Sequence, residues 1–275
     1  MHTKRILAAL ALAAVGLTWR PAAPAGAATP DSRPGPSWAT TQESDCFEVL
    51  TQRGVKTTEV DLLVPERFGL PATATTTLFL HTYTCRQFSV DGQPQVGRDK
   101  TTTITIGSVS VTSVDGQPTT GFTGYVLWYG TDNPVLFAKF HQLGWPVTFL
   151  PATTAVLPQS PQAGDAVTAG WAVRGPGIDY DLQVNALEPT TSPASGTVPF
   201  LHEGSDGRLL RLAVANQQAG QVSATSTTAH LQGIDLLQPL LTDPRFNTIP
   251  QPGQVARFPY LRGSWASQLT VEEDS

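Results

Sequence analysis

Charge is scarce in this chain, and lysine is scarcer still. Asp, Glu, Lys and Arg make up 14% of the 275 residues, and the only lysines are Lys4, Lys56, Lys100 and Lys139. Phosphate binding needs clustered Lys and Arg, so the lack of any basic stripe argues against a nucleic-acid partner. Beyond the first residues no apolar run is long enough for a membrane-spanning helix. The five histidines stand singly, with no pair at helical ligand spacing, so no metal and no cofactor is expected. The familiar catalytic signatures are also missing. There is no Gly-x-Ser-x-Gly elbow and no phosphate loop, and His202-Glu203-Gly204 lacks the second histidine of a zincin motif and reads as a loop.

What is present begins with an address. Lys4 and Arg5 precede an apolar stretch over 6–17, and Ala25-Gly26-Ala27 is a small-residue cleavage site. Residues 1–27 therefore read as a signal peptide of a secreted protein cut near Ala27. Its removal takes Lys4, Arg5 and Arg20 and no acid, so the formal charge falls from −5 to −8. Residues 28–44, rich in Pro, Ser and Thr, read as a flexible linker. Residues 45–271 then form a single β-rich domain, and 272–275 an acidic tail. In an exported chain Cys46 and Cys85 read as one disulfide. Closing that loop of about forty residues stabilises the fold by roughly 4 kcal/mol in the chain-entropy treatment.

Thr- and Val-rich segments cut by Gly and Pro favour strands. Residues 58–64 alternate as a strand. Residues 75–90 form a longer one, with Leu78, Leu80 and Thr82 on one face and Phe79, His81 and Tyr83 on the other. Partly apolar on both faces, it belongs inside a sheet. The hexapeptide Ser-Val-Asp-Gly-Gln-Pro occurs at 89–94 and again at 113–118, and each Asp-Gly predicts a tight hairpin. Between them, 102–114 is a strand whose apolar phase slips at Gly107, the mark of a bulge. Further strands are expected over 166–174, 178–187, 209–216, 222–231 and 265–271, with short helices over 135–143 and 234–241. The fold class is mainly β: a large antiparallel barrel or sandwich with two short helices.

The densest chemistry lies in 125–151. It reads as a strand, an Asp132-Asn133-Pro134 turn, an amphipathic helix, a Gly144-Trp145-Pro146 break and a second strand. Trp128, Tyr129, Trp145, Trp171 and Trp265 either fill a core or line a cavity. Asp179 and Asp181 share one strand face, where paired carboxylates can do acid–base work or can simply be solvated. Arg174, Arg208, Arg211, Arg257 and Arg262 are candidates for holding an anion.

That order of features resembles acetoacetate decarboxylase and its relatives. It runs from the Val-Pro segment near Leu63 through a long strand and hairpin, then the Asp-Asn-Pro turn, the helix and Gly-Trp-Pro, to the region after Thr227. The resemblance implies a β-barrel enclosing a small-molecule site. It also implies a lysine after the Gly-aromatic-Pro motif that forms a Schiff base with a substrate ketone. Here that position is Val147. Of the remaining lysines, Lys56 and Lys100 lie in polar loops, and Lys139 falls on the helix side away from Leu136, Phe137, Phe140 and Leu143, toward solvent. The expectation is a secreted, non-catalytic relative that binds an apolar or carboxylate-bearing small molecule, with His81, Tyr83, Trp128, His141 and Trp145 lining the pocket. Two alternatives stand beside it. One is a lyase, cyclase or isomerase acting on a keto-acid or polyketide-like metabolite through His81, Tyr83, Asp179 and Asp181. The other is an extracellular structural or interaction module.

Overall fold

The computed structural model describes residues 38–95, 101–150, 153–156, 159, 162, 164–175, 178–187, 194–223, 226–232 and 259–271. Its main sheet is built from β1 (Trp38–Lys56), β3 (Thr75–Val90), β4 (Gln93–Gln95), β5 (Thr102–Ser110), β8 (Gly124–Thr131), β9 (Val147–Phe149), β13 (Ala194–Glu203), β14 (Leu209–Ser223) and β16 (Pro259–Val271). The hydrogen-bonded path runs β1-β16-β14-β13-β8-β5-β3, and β3 pairs with β1 again. The path therefore closes on itself, which is how a β protein disposes of its sheet edges. Most neighbours are antiparallel, but β8 pairs parallel with both β13 and β9, so the sheet is mixed.

Which face points inward follows from the two apolar clusters. One draws Cys46, Tyr83, Ile104, Ile106, Tyr129, Phe200, Leu212 and Leu269 from all seven strands of the closed path, so it marks the inner face of the barrel. The other includes Phe47, Val49, Leu78, Leu80, Val109 and Trp128, and it packs against Val167, Ala169, Trp171 and Val173. Those four alternate along β11 (Ala166–Gly175), which forms a second sheet with β10 (Thr154–Val156), β12 (Ile178–Leu187) and β15 (Ser226–Gln232). This sheet covers one outer flank of the barrel. β2 (Phe68–Gly69), β6 (Ser113–Val114) and β7 (Gln117–Pro118) make a third, small sheet.

Both repeated hexapeptides are tight hairpin turns. Asp91 and Gly92 have φ of 48° and 74°, Asp115 and Gly116 have 50° and 76°, and only such positive values match the twist of the flanking strands. The bulge lies where the pattern at Gly107 placed it, between Gly107 and Ser108 in the β5–β8 register. The extra residue, however, is Leu127 of β8. Ile104 and Ile106 against Val109 are simply the two faces of β5, which ends at Ser110 and does not run on to 114 as expected.

Further expectations need correction. The strands expected over 209–216 and 222–231 are β14, which runs on to Ser223, and β15, which begins at Ser226. Residues 58–64 are not a strand: Thr57–Val60 form a single helical turn, α1, and turns follow to Pro65. β1 begins at Trp38, so the last residues assigned to the linker are strand, paired with both β16 and β3. Their Thr, Ser and Gln composition suits a strand whose inner side is polar. β13 had no counterpart in the sequence reading, because Gly196 and Pro199 interrupt its pattern. The helix expected over 234–241 lies outside the described residues.

Candidate functional site

The helix α2 (Pro134–Gln142) closes one end of the barrel. Its start is written in Asp132-Asn133-Pro134. The Asn133 side chain accepts hydrogen bonds from the amides of Val135 and Leu136 at 3.0 and 3.1 Å, and Pro134 takes the first helical position, where no amide proton is needed. Asp132 accepts from the Thr103 amide at 2.8 Å, which ties the turn to β5. At the other end Gly144 takes φ 84°. The Gly144 and Trp145 amides return to the carbonyls of His141 and Phe140, each at 3.0 Å, which is the Schellman pattern. That stop turns Trp145 into the barrel, where Tyr129 and Phe140 meet its ring.

The chain then enters β9, where Val147 pairs with Tyr129 and packs half-buried against the interior cluster. Lys139 does not reach solvent as expected. Its Nζ lies 2.8 Å from Asp91 Oδ2, and the side chain is 19% exposed. Burial alone would raise the Asp91 carboxyl. The bonds from Lys139 and the Thr40 amide outweigh burial and hold it below the usual carboxylate range.

Inside the barrel, β1 and β3 bring together two carboxyls, an imidazole and a phenol, and β8 adds a second phenol. Glu43 is 3% exposed. It accepts from Thr41 Oγ1 at 2.7 Å, from Ser267 Oγ at 3.4 Å and from the Tyr83 hydroxyl. Burial pushes its carboxyl up to about 7 despite these donors, and the charge of Glu48 adds to the rise. Tyr83 and Tyr129 are hydrogen-bonded to each other, and burial and the nearby Glu43 hold both phenols well above their ordinary value. Five positions along β1, Glu48 Oε1 meets His81 Nδ1 at 2.8 Å. The other ring nitrogen, His81 Nε2, is buried with no hydrogen-bond partner among the described residues.

Cys46 and Cys85 face each other across β1 and β3 in a disulfide, with Cα atoms 4.0 Å apart. Cys85 Sγ lies 3.9 Å from Glu43 Oε2, but a disulfide sulfur has no proton to donate. The grouping of Glu43 with these two sulfurs has metal-ligand distances, yet the disulfide bond takes up the thiolates a metal would require.

Of the five residues expected at a pocket, His81, Tyr83 and Trp145 all line the interior. Trp128 is buried on the opposite face of β8, in the cluster under the second sheet, because the Leu127 bulge shifts its phase. His141 is exposed on α2 against Phe137. Asp181 is exposed and forked by Arg174 at 2.8 Å to each oxygen, so both are surface partners. Arg208 pairs with Asp206 in the turn after β13. Arg257 lies outside the described residues. The sequence reading missed Glu43 and Glu48, since β1 had been read partly as linker. The alternation of Thr41, Glu43 and Ala39 around a bulge at Asp45 (φ 52°) could have shown an inward carboxyl only once the strand was recognised.

No family profile matches the chain, and no characterised protein matches it in sequence. Solved structures do. Acetoacetate decarboxylase from Legionella pneumophila subsp. pneumophila str. Philadelphia 1 aligns over 90% of this chain and 93% of its own, at TM-score 0.57 and 11% identity. The enduracididine biosynthesis enzyme MppR, complexed with pyruvate, aligns over 87% and 90%, at TM-score 0.50 and 13% identity. An acetoacetate decarboxylase-like enzyme from Sphingomonas wittichii RW1 aligns over 86% and 93%, at TM-score 0.50 and 10% identity. The chain has the acetoacetate decarboxylase-like fold.

Proposed function

We propose that this chain is an exported member of that fold which binds a small molecule inside its barrel and forms no Schiff base. One observation carries the reading. The interior position beside Tyr129, where the resemblance places a lysine, holds Val147, and the nearby lysine of α2 is engaged by Asp91. A Schiff-base amine must be free and nucleophilic at working pH, and neither side chain meets that need. A pyruvate-bound enzyme among the structures of this fold supports a small organic ligand. The test is borohydride reduction of the folded protein with pyruvate or acetoacetate, followed by peptide mass mapping. The expected result is no adduct; a stable adduct on Lys139 would overturn the reading. Amino-terminal sequencing of the exported protein is expected to begin at Ala28.

A second reading is favoured by the buried carboxyl. Glu43, poised near neutrality beside two phenols, and the Glu48–His81 pair are what proton-transfer chemistry on a bound ketone or enol would need. Exchange of the α-protons of acetoacetate or pyruvate into deuterated water, followed by NMR, separates the readings. A binding protein leaves the background rate unchanged, and an acid–base enzyme raises it in a manner abolished by Glu43→Gln.

A further inference from the structure

Two of the interior polar atoms that find no hydrogen-bond partner among the described residues lie around one aromatic ring. His81 Nε2 is the first and Ser108 Oγ the second. His81 meets the Phe200 ring edge-on, with centroids 5.6 Å apart. Gly124, directly beneath, lets Phe200 and Ser108 approach. A Cβ there would stand 2.9 Å from a Phe200 ring carbon and 3.3 Å from Ser108 Oγ. Phe122 faces Phe200 edge-on at 6.4 Å, and Phe79 faces Phe122 edge-on at 4.8 Å. Phe200 is 2% exposed, whereas Phe79 and Phe122 are half-buried, so the aromatic group runs from the interior toward solvent.

The register explains how the polar groups come to lie in one line. Glu48 stands opposite Tyr83, and Ser108 opposite Phe79, while His81 sits between those two on β3. Glu48, His81 and Ser108 thus form a diagonal across three adjacent strands, the arrangement in which longer side chains of a sheet can meet. Nδ1 lies 2.8 Å from the Glu48 carboxyl oxygen, so in the neutral ring the proton belongs on Nδ1 and the lone pair on Nε2. An unpaired acceptor in such surroundings stands for a bond made to something else, because leaving it unmade is costly.

We propose that His81 Nε2 and Ser108 Oγ form the head-group subsite of the barrel, taking the hydroxyl or N–H of a ligand whose apolar body lies among Phe79, Phe122 and Phe200. Glu48 is the positioning residue. The inference rests on the reading of the barrel as a binding site and narrows the ligand to a neutral donor. A carboxylate head would bring a second carboxylate toward Glu48, which already holds His81.

Calorimetric titration with phenol, benzene and benzoate tests this directly. Phenol is expected to bind at least about tenfold more tightly than benzene, the equivalent of one net hydrogen bond, and benzoate most weakly. His81→Phe keeps a ring of similar size and is expected to erase the phenol preference; Ser108→Ala is expected to reduce it several-fold. Nitrogen-15 NMR of the histidine side chains provides a readout independent of any ligand. It is expected to show a bare Nε2 in the wild type and a redistributed tautomer in Glu48→Gln. If neither phenol nor benzene binds, the barrel is not a binding site of this kind and the inference falls with that reading. If both bind equally, the binding reading stands and the head-group assignment falls. A proton resident on Nε2 of the neutral ring would also overturn it.

Discussion

Two buried tryptophans on opposite faces of the same barrel wall are treated very differently. Trp171 lies outside, between the two sheets, and its Nε1 donates to Thr84 Oγ1 at 2.9 Å, which in turn meets Thr103 Oγ1 at 2.7 Å. Trp145 lies inside, equally buried, and its Nε1 has no partner among the described residues. The contrast extends to their neighbours. Around Trp171 are Phe47, Val49, Leu80 and Val173, a surface suited only to cohesion. Trp145 meets Tyr129, Phe140 and His202, and the same inner face carries Glu43, Glu48, His81, Ser108 and Tyr83, some of them paired and some not. A core selected for stability alone has no use for unpaired polar atoms, which cost free energy wherever water cannot reach them. Among the described residues the inner face carries three such atoms, on His81, Ser108 and Trp145, whereas the β3 face of Leu78 and Leu80 carries one, on Thr76.

The comparison predicts its own largest effect on the outer side. Trp171→Ala removes a large ring and strands the Thr84 hydroxyl bond, and is expected to cost about 4 kcal/mol, read from urea denaturation. Trp145→Ala loses similar volume but no hydrogen bond, so its cost should be clearly smaller, and an equal or larger loss would break the comparison. The disulfide comes next. Replacing Cys46 and Cys85 by alanine is expected to cost up to about 4 kcal/mol, with the barrel seam between β1 and β3 as the segment that gains amide exchange.

Glu43 sharpens the contrast through pH. Its folded carboxyl titrates at about 7 against an ordinary value of 4.5. Between those values the folded chain holds a proton that the unfolded chain has lost, so stability falls as pH rises through this window and levels off above it. The full drop is about 3 kcal/mol. Glu43→Gln is expected to flatten the profile and to be more stable than wild type at pH 8. Asp91, with its carboxyl lowered, works in the opposite sense: what it contributes is present above its ordinary value and lost as pH falls through its folded one. Measuring denaturation midpoints at pH 5 and pH 8 for both chains checks the sign.

Much of the frame was legible from residue order because local chemistry dictated it. The two Asp-Gly hairpins, the β3 boundaries and both caps of α2 depend on φ preferences and hydrogen bonds a few residues long, and each was found where the sequence placed it. The interior site was only half legible. His81 and Tyr83 followed from alternation along β3. Glu43 did not, because the polar start of β1 was read as linker through residue 44, and Glu48 followed in a stretch assigned to no strand. Trp128 went to the wrong face through one inserted residue in the neighbouring alternation, and the side chain of every later residue on β8 depends on that count. Lys139 was misplaced for another reason: nothing on its own helix pairs with it, and its partner is a hairpin turn nearly fifty positions earlier in the chain.

The smallest effect is also the most discriminating, because its sign matters more than its size. If Ser108 were an ordinary core serine, its replacement by alanine would cost a hydrogen bond and destabilise the chain by about 1 kcal/mol. Its hydroxyl is buried at 0% exposure and makes no such bond, so Ser108→Ala removes a desolvated polar group and leaves the packing around Phe200 intact. The expected outcome is neutral to stabilising by about 1 kcal/mol in the ligand-free protein. The same substitution should weaken phenol binding. Stability gained and affinity lost at one residue is the signature of a group held unsatisfied for a ligand. A variant less stable than wild type would instead place Ser108 with Trp171, among the residues that serve the fold alone.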